Sequence, residues 1–556
     1  MTKRNHVAAG VVFTIALASL LPSAAPRSAT MKFYTDDPLQ REPETQDASA
    51  VQEWDIDLVW DLAENLFGHP GDSTPDVKAR NVNTVDEVPD SSWFTNRIGV
   101  RPVSIEEAVR GPLTGSGPAP GTWSVVGAKE AGFAPGFTMQ DPRGDRWFVS
   151  FDAKGFPDAA TGAILVANKI FWALGYFQVE NYLIRVRPDQ LVIGESASVT
   201  PPSGKRRRMK FGDLEDVLRR SHRALDGSYR AVAARSVPGR VLGGFRYHGT
   251  RPDDPNDVIP HEHRRELRAL KVFGAWTNLV DMKAGNTLDS LISENGKGIV
   301  RHYLQDVGST FGTGANAPRE YDEGWEYLFE GDLAWKRLAT MGFFLRPWQT
   351  VQYADNRAIG RFEGAVFDPR EWKPRVPTAA FLRAREDDTF WAARRVMAFS
   401  DDMIFALAET GKYSDESAAK QLAGVLIQRR DKIGKVYLNA INPVSNFALD
   451  ADDTLTFENA AVTAGVSDEP SGGYVVSWSR FDNTTGETTP IGSPVATADR
   501  RVRPTAALPS APGSFVKIQI WEKRIRPPAT PQVAVSFRRN RSTWTLVGVD
   551  RLPPQS

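Results

Sequence analysis

The sequence predicts an α+β chain built in three successive characters. Between residues 121 and 200, short apolar and aromatic runs alternate with Gly/Pro turns, the mark of strands. From 201 to 440 apolar residues recur mainly at helical spacing. From 445 to 556 β-branched and aromatic runs return, which predicts a small all-β domain, a sandwich. At 556 residues the chain exceeds one ordinary domain, so several units are expected.

Ahead of these units, residues 1–29 read as a secretory signal peptide. "MTKRNH" is basic, "VAAGVVFTIALASLL" is apolar and "PSAAPRSA" supplies small residues. The apolar run is short for a membrane span, which needs about 20 residues. Export to a periplasmic or extracellular space follows, with no span after signal removal; an uncleaved N-terminal anchor is the alternative. Residues 30–120 alternate polar stretches with Pro and Gly, and "GPLTGSGPAPG" (111–121) reads as a linker. Within them "DEVPDSSWFTNRIG" (86–99) fits a structural plug carrying Trp93 and Phe94.

The strand-rich unit opens with "TWSVVGAKEAG", "FTMQD" and "RWFVSFDAKG", three strands with the glycine hairpin "GFAPG" between the first two. "AATGAILVANKIFWALG" then places Ile164, Ala167, Ile170, Phe171 and Leu174 at helical spacing, and Gly175 ends the helix. "VENYLIRV" and "DQLVIGE" return to strand. The basic run "GKRRRMK" (204–210) reads as a solvated loop, with phosphate or acidic-surface contact as the alternative. In "HEHRRELRALKVFGAWTNLVD", Leu267, Leu270, Phe273, Trp276 and Val280 form a helical stripe running into Asp281.

Composition removes several function classes. The 68 basic residues balance the 68 acidic ones, so nucleic acid is not expected as a partner. There is no cysteine, which excludes disulfides, thiolate metal sites and a cysteine nucleophile. His261 and His263 lack the H-E-x-x-H spacing of zinc proteases and read as polar residues at a helix start. Asp450, Asp452 and Asp453 lack the spacing of a calcium loop and read as a solvated turn.

Two short stretches carry candidate chemistry: "DMKAGN" (281–286) and "DVG" (306–308), separated by a strand pattern, "IVRHYL". Phosphoryl transfer needs a carboxylate to orient a hydroxyl, a cation for the phosphate and oxygen ligands for Mg²⁺. Asp281, Lys283, Asn286 and Asp306 are of those types. The first stretch resembles the protein-kinase catalytic-loop pattern D-L-K-x-x-N, and the second resembles D-F-G. The arrangement is similar to atypical kinase-like folds of the HipA type and the secreted Golgi type.

That resemblance covers about residues 120–440 and implies a two-lobed kinase-like core, with a strand-rich N-lobe and a helical C-lobe. It implies a Mg²⁺–ATP-dependent phosphotransferase acting on a protein or small-molecule substrate. Asp281 would be the catalytic base, and Lys283 would stabilise charge on the transferred phosphoryl. Asn286 and Asp306 would ligate Mg²⁺; Lys154, Gly132 and Gly136 would contact the nucleotide. The chain departs from the pattern in three places. Ser150 stands where the third strand's lysine is expected, Ile164 stands where the helix would supply a glutamate, and the glycine turn is not a full G-x-G-x-x-G. Those departures keep a second expectation open: an inactive kinase-like scaffold or cell-envelope binding protein, with the β-rich tail as its interaction module.

Overall fold

A computed structural model describes residues 31–129, 134–201, 204–341, 343–523 and 532–551. The structure is mixed α+β, as the sequence predicts, with several separate sheets. The signal-peptide segment lies outside the described residues. Among those described, no helix is long and apolar enough to cross a membrane.

Two short helices, α1 (Leu58–Ala63) and α2 (Ile105–Arg110), precede the first sheet. That sheet contains β1 (Trp123–Ala128), β2 (Gly136–Gln140), β3 (Arg146–Phe151), β4 (Asn181–Val186), β5 (Leu191–Val199), β6 (Arg207–Arg208) and β7 (Tyr229–Arg235). Its order is β4-β7-β3-β2-β1-β5-β6, and only β1 and β5 run parallel. Strand alternation explains its two faces. In β3, Trp147, Val149 and Phe151 are buried and pack with Leu214, Val217 and Leu218 of α4 (Phe211–Arg220). The intervening Arg146, Phe148 and Ser150 face the other way and line a cleft. The expected unit boundary at residue 200 falls inside this sheet, because β6, α4 and β7 complete it.

Between β3 and β4 runs α3 (Ala159–Leu174), buried along most of its length. Its N-terminus is capped from outside the helix. Asp152, one residue past β3, accepts from Asp158 N (3.0 Å), Thr161 N (2.9 Å) and Thr161 Oγ1 (2.8 Å). Gly175 ends it at φ +126°, where a Cβ would fall 2.2 Å from the Phe94 ring.

After β8 (Arg240–Gly243) come α5 (Arg265–Arg268) and α6 (Leu270–Thr277). The predicted stripe is buried: Leu267, Leu270, Phe273, Trp276 and Val280 all lie in the largest core. Strands β9 (Thr287–Glu294) and β10 (Lys297–Leu304) form an in-register hairpin that pairs with β8. Its tip, Asn295–Gly296, has positive φ at both residues, the two-residue turn whose twist suits a hairpin. Helices α7 (Gly331–Ala339), α8 (Ala379–Leu382), α9 (Glu386–Met397), α10 (Asp401–Glu409) and α11 (Glu416–Tyr437) follow; the last three pack beside α6 and α3.

The chain ends in β11 (Val444–Leu449), β12 (Leu455–Asn459), a turn of helix α12 (Ala460–Thr463), and β13 (Tyr474–Phe481) to β18 (Trp544–Asp550). These strands make a three-stranded and a five-stranded sheet around a separate apolar core that includes Trp478, Ile518 and Val535.

Residues 31–110 differ from the expected extension. Phe33 packs in the C-terminal sheets against Phe481, Phe515 and Val547. Trp93 is buried and stacks on His302 with centroids 3.5 Å apart. Glu42 and Asp86 pair with the buried Arg264 and Arg265. Acidic side chains supplied by this segment neutralise arginines that the helical region buries, so the segment is part of the folded body. The HEH turn belongs to the same network: His261 bonds Asp257 (2.7 Å) and His263 bonds Asp72 (3.0 Å).

Candidate functional site

The cleft beneath the first sheet holds about 550 Å³. Its ceiling is the face of the sheet turned away from α4, with Val126, Phe148, Val232 and Ala234. Phe148 is 46% exposed there, an aromatic surface open to a flat apolar group. Its floor is polar: Asn286, Asp306, Gly308 and Ser309.

The hairpin explains how Asn286 and Asp306 meet although 20 residues separate them. Thr287 pairs with Leu304 at the open end, so the residues just outside the ladder come together. Asp306 N donates to Asn286 O at 3.1 Å. The 281–286 stretch is held at its other end by α6, which finishes at Asn278 in the left-handed conformation. Asn286 Nδ2 donates to Asp281 O at 2.7 Å, closing 281–286 into a loop. Because that carbonyl can only accept, the amide nitrogen must face it, which leaves Asn286 Oδ1 as the outward oxygen. Asp306 Oδ1 accepts from Gly308 N at 3.0 Å, fixing the D-V-G turn. Gly308 lies against α3: a Cβ there would sit 2.7 Å from Ile164.

Asp281 is half-buried between two cations, Lys283 at 3.0 Å and Arg319 at 3.7 Å. Burial alone would raise its pKa, but Lys283, Arg319 and the Asn286 amide outweigh it and hold the carboxyl below its usual value. Asp281 is therefore an anion at neutral pH, suited to orienting a hydroxyl rather than to taking a proton early.

One cation of the cleft is Lys129, the residue after β1. Its Nζ donates to Ser150 Oγ at 3.3 Å. Desolvation lowers its pKa and the charge of Asp306, which lines the same cleft, opposes that shift. Register accounts for its position. Ala128 pairs with Phe137, and Gly136 pairs with Ser150, so Lys129 reaches across the start of β2 to the third strand. Gly136 permits the close strand pairing there: a Cβ would meet Val149 O at 2.3 Å, whereas Lys129 Cδ lies 3.4 Å away.

No family model, curated protein or solved structure matches this chain.

The structure thus brings Asn286 and Asp306 to one cleft, with Asp281 and Lys283 joined to it through the 281–286 loop. Gly136 adjoins the cleft at the lysine crossing. Lys154 does not line it; this lysine is exposed in the turn after β3, where its backbone N–H bonds Arg220 O (2.9 Å). Gly132 lies outside the described residues. Lys129 is the residue that sequence reasoning misses. A lysine within "GAKEAG", beside a glycine turn, is the signal for it once the lysine expected on the third strand is replaced by Ser150.

Proposed function

We propose that the chain is an atypical kinase-like phosphotransferase using Mg²⁺–ATP, built as a strand-rich lobe over a helical lobe. One observation carries the reading: Asn286, Asp306 and Lys129 meet in a single cleft under β1–β3. The donor chemistry fits the ion. A carboxylate and an amide oxygen are hard ligands, and Mg²⁺ commonly takes one or two protein oxygens while nucleotide phosphates and water complete its shell. Bound there, Mg²⁺ would neutralise phosphate charge. Lys129 would contact the phosphates, the place that Ser150 leaves without a cation. Asp281 would orient the acceptor hydroxyl for in-line attack, with Lys283 balancing charge on the transferred group. The apolar ceiling of Val126, Phe148, Val232 and Ala234 suits a nucleobase.

A second reading, an inactive scaffold that retains the cleft, is favoured by Ile164. α3 presents this apolar side chain to the D-V-G turn and offers no carboxylate to pair with a lysine. The two readings part on turnover. Calorimetric titration with Mg²⁺–ATP should give saturable binding that Asp306→Ala abolishes while the unfolding midpoint stays close to wild type. Absence of binding at millimolar nucleotide would sink the enzyme reading. Binding without phosphate transfer, unaltered in Asp281→Asn, would select the scaffold. Transfer that Asp281→Asn abolishes without loss of binding would select the enzyme.

A further inference from the structure

We infer that Arg206 is a second phosphate-binding cation of this cleft, reading the polyphosphate of the nucleotide. The inference rests on the nucleotide reading above and specifies which part of the ligand the added edge of the sheet recognises. Three arginines stand in a row at 206–208, and the fold commits two of them elsewhere. Arg207 holds Asp213 through two bonds of 2.7 Å. Arg208 donates through Nε and Nη2 to Glu195 O at 3.0 and 2.7 Å. Arg206 lines the cleft, and its guanidinium is oriented by Nε donating to Ser198 Oγ at 2.9 Å.

Strand pairing sets which end of the cleft Arg206 serves. Ser198 on β5 lies in register with Gly127 on β1, two residues before Lys129. Gly127 is close-packed there, with room for a Cβ only 3.3 Å from Ser198 O. Strands β5 and β6 therefore extend the sheet beside the end of β1, and the cation they add stands on the Lys129 side of the cleft. A guanidinium fixed by Nε and presenting its remaining N–H groups to open space is suited to phosphate oxygens. Residues 204–208 are solvent-exposed, as the solvated reading of "GKRRRMK" expects, but Arg207 and Arg208 are held by hydrogen bonds and Arg206 also lines the cleft.

The test compares a non-hydrolysable ATP analogue with adenosine, both with Mg²⁺, on the full chain. Arg206→Gln should weaken the analogue about tenfold, a typical worth for a charge-assisted contact, and leave adenosine unchanged. Arg207→Gln, which removes the same charge one residue away, should leave both affinities as in wild type, and Arg206→Lys should recover part of the loss. Analogue affinity unchanged in Arg206→Gln would overturn the inference while leaving the nucleotide reading intact. Equal weakening of analogue and adenosine would also overturn it, because the effect would then be on the cleft and not on phosphate recognition. A wild-type chain that binds neither ligand removes the nucleotide reading itself, a result distinguishable from both.

Discussion

At the scale of single residues, the site is defined by which lysine reaches the cleft. Lys154 and Lys129 both flank the first three strands, yet only Lys129 has its ammonium at Ser150 and lines the cleft with Asp306. On the phosphotransferase reading, a partly desolvated ammonium in this cleft gains from phosphate oxygens, since a nearby anion stabilises its charged form. Lys129→Met should therefore reduce Mg²⁺–ATP affinity about tenfold or more, on the scale of a lost charge-assisted hydrogen bond. Lys154→Met, an exposed change away from the cleft, should leave affinity unchanged. Titration calorimetry on the two variants checks the assignment. Equal losses would show that neither lysine is special, and a loss confined to Lys154→Met would reverse the roles.

At the scale of elements, two devices position the site: the β9–β10 hairpin and the capped start of α3. The hairpin brings two distant polar residues to adjacent backbone positions. The cap ties α3 to β3 through Asp152, whose buried carboxylate accepts three hydrogen bonds and lies 3.6 Å from Arg230. Asp152→Ala leaves two backbone N–H groups without their acceptor and Arg230 short of one partner. It should cost about 2–4 kcal/mol, the range for losing a helix cap together with a buried charge partner. The shift of the urea midpoint, read by circular dichroism, measures it; a change below about 0.5 kcal/mol would show that the cap is replaced locally. Much of this level is legible in the sequence. The strand alternation of "RWFVSF", the buried stripe from Leu267 to Val280 and the motif pair at 281–286 and 306–308 are all local patterns. Lys129 is not local in that sense, because its place in the cleft depends on two strand registers. The sheet's extent is likewise hidden: β6 and β7 follow β5 in the chain but join opposite parts of the sheet.

At the scale of the whole molecule, the N-terminal segment is the least legible part, and its Pro/Gly-rich composition reads as extension. Composition cannot reveal that its carboxylates are the counter-ions for arginines buried more than 150 residues later, such as Arg265 with Asp86 and Arg395 with Glu87. Glu87 makes the clearest test. It accepts from Trp391 Nε1 at 2.9 Å and from Arg395 at 3.2 Å, and it also pairs with Arg394, joining this segment to α9. Burial alone would raise its pKa, but Arg394 and Arg395 hold it down to about 2, from an ordinary value of 4.5. A carboxyl depressed in the folded state binds fewer protons there than in the unfolded chain. Its stabilisation is therefore present above about pH 4.5 and is lost as pH falls toward 2. Glu87→Gln cannot ionise, so it should lower the thermal midpoint by several degrees at pH 7 and by progressively less toward pH 2. The difference between wild type and variant, followed by circular dichroism from pH 7 to pH 2, should thus shrink within that window. A difference independent of pH would mean that Glu87 acts through packing and hydrogen bonding alone. A difference that grew on acidification would contradict the ion-pair account of how the N-terminal segment is fastened to the helices.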